Sequence, residues 1–99
     1  MRIKELKING EIVKSAQENV VVQKSFDFAL RIIKLYKYLL ENKKETILSK
    51  QILRAGTSIG ANIEEAQGAQ SKADFFAKIS IAYKEARETA YWLRLLHAA

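Results

Sequence analysis

The stretch QILRAGTSIGANIEEA, Gln51 to Ala66, decides the fold. Leu48, Ile52, Ala55, Ile59, Ile63 and Ala66 recur every three or four residues, the stripe of a helix that faces a core. Gln51, Arg54, Ser58, Asn62 and Glu65 repeat that spacing about 100° round the helix. Gly56 and Gly60 mark a third side, where a second backbone can come close. Each glycine costs about 1 kcal/mol of helix stability relative to alanine. The apolar stripe nevertheless passes both without a phase shift. That continuity argues against the alternative, a helix-turn-helix with its turn at Ala55-Gly56-Thr57. A helix with three specialised faces predicts neighbours on several sides.

Working outward, a helix is expected over residues 20–42. Val22, Phe26, Ala29, Ile33, Tyr36 and Leu40 have heptad-like spacing, and Phe28, Ile32, Leu35 and Leu39 broaden the apolar face. Asp27, Arg31, Lys34, Lys37 and Glu41 occupy the outer face. Lys43 and Lys44 follow at the end, where cations complement the helix dipole. The glycine-bearing helix covers 46–67, with Thr46 as N-cap and Gly68 as stop. A third helix covers 72–97, opened by Ser71 and Asp74 in a variant capping box. Its apolar face carries Phe76, Ile79, Tyr83, Ala86, Ala90 and Leu93.

Residues 1–18 read as an N-terminal arm. Asn9-Gly10 is a turn signal, Ile3 to Ile8 a short extended piece or frayed turn, and Glu11 to Gln17 a candidate helix with few apolar anchors. Short connections make successive helices antiparallel. The expected fold is all-α, an antiparallel up-and-down helical bundle of four-helix-bundle type. It forms a single domain over 1–99, with the fourth helix absent from this chain. The last helix ends at His97-Ala98-Ala99 without a stop signal. A further helix or other subunits would have to cover the remaining apolar faces.

Composition narrows the function. The chain has 99 residues, is 48% hydrophobic and contains no Pro or Cys and one His, His97. A thiolate metal site, a cysteine nucleophile and a multi-histidine centre are therefore excluded within one chain. No catalytic residue, metal site or cofactor is expected. No apolar run reaches the roughly 18 residues of a membrane span. With no secretory apolar segment after Met1-Arg2, a cytoplasmic protein without membrane contact is expected. The net charge is +6, and residues 1–50 hold 11 Lys/Arg against 6 Asp/Glu. A basic surface favours polyanions such as RNA or DNA. Arg31, Lys34, Lys37, Lys43 and Lys44 are the candidate phosphate contacts; Tyr38 beside them is either a stacking ring or, as is more common for such a tyrosine, a partly buried boundary residue.

Glu64 and Glu65 are adjacent and point about 100° apart, so they form no acid/base pair by themselves. Glu85 and Glu88 share a face but lack the histidine of a di-iron motif. The stripe of Gln51, Arg54, Ser58, Asn62 and Glu65 has two readings. It is either a boundary that hydrogen-bonds to neighbouring helices or a polar seam at a subunit contact, and the second is slightly favoured. Gly56 and Gly60 complete this oligomer and packing group.

Gln51, Arg54, Ser58, Ile59, Asn62, Ile63, Glu65 and Gly68 match the pattern Q-x-x-R-x-x-x-S-I-x-x-N-I-x-E-x-x-G. Phe76, Ser80, Ala82 and Glu85 match a second pattern. Over roughly Val22 to Leu96 the chain resembles the four-helix-bundle proteins named after the intervening sequence of bacterial 23S ribosomal RNA genes. The resemblance implies a homo-oligomer, a pentamer in described cases, without enzymatic activity. It implies an RNA link by gene location. The related accessory proteins of diversity-generating retroelements form similar basic barrels that engage nucleic acid and a reverse transcriptase. The expectation is a nucleic-acid-associated homo-oligomer. A structural scaffold with a protein partner is the alternative.

Overall fold

A computed structural model describes residues 6–8, 11–13 and 19–99. Three helices dominate: α1 (Val20–Asn42), α2 (Ile47–Gln67) and α3 (Lys72–Ala98). Before them lie two short strands, β1 (Leu6–Ile8) and β2 (Glu11–Val13), paired antiparallel with Leu6 opposite Val13 and Ile8 opposite Glu11. The helical expectation for Glu11 to Gln17 is thereby corrected at Glu11–Val13, where two successive β-branched residues, Ile12 and Val13, favour extended backbone. The Asn9-Gly10 turn and the rest of the arm lie outside the described residues.

Each helix begins on an identifiable cap. The Asn19 side chain accepts from the N–H groups of Val21 and Val22 at 3.0 and 3.2 Å. At α2, Thr46 occupies the N-cap position but makes no side-chain cap bond. Glu45 does that work instead: its carboxylate accepts from the N–H groups of Ile47, Leu48 and Ser49 at 3.1, 2.8 and 2.7 Å. The longer side chain reaches donors that the threonine hydroxyl does not. Ser71 caps α3 by accepting from the Asp74 N–H at 3.0 Å. The reciprocal bond of a capping box is displaced, since Asp74 accepts instead from the Gln70 N–H at 3.4 Å. Gly68 ends α2 at φ −99°, without left-handed backbone. Left-handed backbone falls at Lys44 instead, φ 56°, just after α1.

α2 runs unbroken through Ala55-Gly56-Thr57, which excludes the helix-turn-helix. It is the central element, with α1 packed on one side and α3 on the other, and no comparable packing joins α1 to α3. Both neighbours run antiparallel to it. Asn19 at the start of α1 donates to Gln67 at the end of α2, while Ser25 lies beside Gly60 and Ile32 beside Gly56. Ser49, Ile52, Ala55, Gly56, Gly60, Ile63 and Ala66 of α2 are buried. Val22, Ile63 and Ala82 form a core cluster drawn from all three helices, with Ile59 and Ile79 packed against it.

This arrangement is a flat layer, with principal extents of 52 × 34 × 16 Å. Phe26, Phe76 and Tyr83, expected on core faces, are 55%, 63% and 63% exposed. The expectation fails there because α2 stands between α1 and α3, so neither flank meets a partner. The three helices belong to an all-α bundle, and no fourth helix occurs among the described residues.

Candidate functional site

The polar stripe of α2 meets α3. Arg54 reaches across to two carboxylates one turn apart, donating through Nη1 to Glu85 at 3.1 Å and through Nη2 to Glu88. The Glu88 oxygen also accepts from the Trp92 indole N–H at 2.9 Å. Farther along, Glu65 pairs with Lys78 at 2.7 Å. The hydrogen bond and charge of Glu65, with a smaller contribution from Asp74, hold the Lys78 ammonium above the usual lysine range. Ser58 and Asn62 turn back onto their own helix, donating to the carbonyls of Arg54 and Ser58 at 2.6 and 2.9 Å. The i,i+4 pairs along the stripe thus meet through main-chain oxygens. Gln51 lies half-buried at one end.

The two glycines face the other way. A methyl group at Gly56 would stand 2.8 Å from Ile32 Cγ1, and one at Gly60 would stand 3.3 Å from the Ser25 carbonyl oxygen. The sequence group therefore divides between two seams. Its charged members Arg54 and Glu65 join α2 to α3, and its glycines seat α1. Sequence spacing does not reveal the partners Glu85, Glu88, Trp92 and Lys78. Which carboxylate faces Arg54 depends on the α2–α3 register, which no spacing within either helix encodes.

Arg31, Lys34, Lys37, Lys43 and Lys44 are all exposed, and none joins an ion pair among the described residues. Tyr38 is exposed beside them. The acidic Asp27 and Glu41 lie on the same outer face, and Asp27 accepts from the Gln23 amide at 3.0 Å.

On one face of the layer an apolar groove of about 490 Å³ runs between α1 and α3, lined by Val21, Phe28, Ile59, Ala86, Ala90 and Leu93. It adjoins a second hollow at Ile63, Ile79 and Tyr83. No group of three or more potential metal ligands occurs among the described residues. No helix there is long and apolar enough to cross a membrane.

These features define a helical-bundle protein with an ion-paired seam, a basic first helix and an open apolar groove. The chain belongs to the family described as 23S rRNA-intervening sequence protein, whose model matches residues 17–99. Among solved structures, it is similar to a protein of unknown function from the S23 ribosomal protein family of Bacteroides thetaiotaomicron VPI-5482. The two are 64% identical over 78% of this chain and 71% of that one, with a TM-score of 0.77. No curated protein matches.

Proposed function

We propose that the protein is a non-enzymatic, cytoplasmic homo-oligomer that associates with nucleic acid through its basic surface. The observation that carries this reading is the group of five exposed cations, Arg31, Lys34, Lys37, Lys43 and Lys44, without carboxylate partners among the described residues. Lys44 adds a particular argument. It holds left-handed backbone, where glycine would be less strained, so the turn itself does not call for a lysine. The family description, which names an intervening sequence of 23S rRNA, supports RNA as the polyanion. The open groove and the exposed Phe26 and Phe76 support association between copies, with pentamers as the expected form. The groove also favours the second reading, a scaffold whose ligand is another protein.

Filter binding of the full chain to RNA and DNA tests the first reading. Retention is expected at low salt and should fall steeply as salt rises, because each phosphate contact releases condensed counterions. Charge-neutral variants at Lys34, Lys37, Lys43 and Lys44 should reduce both affinity and salt slope. No retention of either polymer at low salt would sink the nucleic-acid reading and leave the scaffold.

A further inference from the structure

The outward face of α3 differs from that of α1. Tyr83, Arg87, Tyr91 and Arg94 follow one another at spacings of four, four and three, with Lys84 beside them, and all five are exposed. The Arg87 guanidinium lies 5.9 Å from the Tyr83 ring centroid, and Arg94 lies 5.9 Å from that of Tyr91. Tyrosines 63% and 46% exposed contribute little to a core. Among the described residues, no carboxylate pairs with a cation of this face. Glu85 and Glu88 are turned toward Arg54 on α2, and Asp74 is engaged at the start of the helix. Over its second half the helix therefore separates its charges, with Glu85 and Glu88 against α2 and Arg87 and Arg94 outward beside aromatic rings.

We infer that this face is a stacking surface for single-stranded nucleic acid. Bases pack on Tyr83 and Tyr91, and phosphates meet Lys84, Arg87 and Arg94. The inference rests on the nucleic-acid reading above and gives it a substrate class. Aromatic rings interleaved with cations take unpaired bases, whose π-faces are available whatever the sequence. A duplex hides those faces in its own stack and offers only its phosphates. The two tyrosines are separated by about 12 Å along the helix axis, room for about three base layers at 3.4 Å each. A protein partner recognising the same tyrosines and arginines is the competing occupant. Lys84, Arg87 and Arg94 join no ion pair among the described residues, which favours a polyanion over a mixed-charge protein surface.

Trp92, the single tryptophan, reports on the site because its ring centroid lies 5.3 Å from that of Tyr91. The test titrates the full chain with oligo-U, oligo-dT and a duplex of equal length, following anisotropy of the labelled oligonucleotide and Trp92 emission. Single strands should bind and quench Trp92. Tyr83→Leu with Tyr91→Leu should weaken single-strand binding about tenfold or more and leave duplex binding unchanged. Tyr83→Phe with Tyr91→Phe should retain binding, since phenylalanine still stacks. Circular dichroism confirms that the variants keep their helices. If the wild type binds but the leucine variant keeps its affinity and quenching, the stacking surface is refuted and the α1 contacts stand. If the leucine variant changes only oligomer size, the face is a protein contact and the inference is again refuted. If the wild type binds no nucleic acid, the functional reading falls, and this inference falls with it.

Discussion

At Gly56 the space is set by Ile32. A methyl group there would lie 2.8 Å from Cγ1 and 3.0 Å from Cγ2 of a side chain that is only 3% exposed. Ile32 is β-branched and stiff at χ1, so it cannot swing aside within its own well. Alanine gains about 1 kcal/mol in helix propensity, while overpacking costs about 1–3 kcal/mol. Gly56→Ala should therefore destabilise the protein by about 1 kcal/mol in urea unfolding, with a smaller penalty in an Ile32→Ala background. Equal penalties in both backgrounds would show that Ile32 is not the obstacle. Gly60→Ala meets the Ser25 backbone at the looser distance of 3.3 Å and should be closer to neutral. The sequence already marked both glycines as a close-approach side. It could not say that one meets a side chain and the other a main chain, because that depends on how α1 lies along α2.

At the scale of elements, the α1–α2 turn carries the clearest titration. Burial pushes the Glu45 carboxyl up, but the N–H groups of Leu48 and Ser49, the Ser49 hydroxyl and the Ile47 N–H together outweigh it and hold the group below its usual range. A depressed folded-state carboxyl stabilises the fold above its unfolded pKa, and that contribution is lost as pH falls through the folded value. Glu45→Gln should cost about 1 kcal/mol at pH 7, the scale of a helix cap, and little at a pH where the wild-type carboxyl is protonated. The comparison is of unfolding midpoints of both proteins across the acid range. A pH-independent difference would mean that the side chain acts by shape and not by charge. Helix existence and spacing were legible here from apolar periodicity. Propensity points to Thr46 as the cap because it names the N-cap residue type, and not which neighbour's longer side chain reaches the orphan donors.

At the scale of the molecule, the layer leaves apolar surface uncovered on the groove side. Light scattering on the full chain should find an oligomer. Ile59→Glu places a charge on the groove lining and should shift the population toward smaller species, while Lys34→Gln should leave it unchanged. A monomer at all concentrations would remove assembly from the proposed function. The sequence by itself determined three amphipathic helices, their antiparallel order, the family, and the absence of cysteine or paired-histidine chemistry. These follow from periodicity, loop length and composition, which are local properties of the chain. Only the tertiary structure decided that α2 stands between its neighbours and that Arg54 is tied to Glu85 and Glu88. It also decided that the aromatic flank of α3 faces outward. Each of these depends on the rotation and register of one helix against another. Pairwise packing across the whole layer sets those quantities, and no single helix records them.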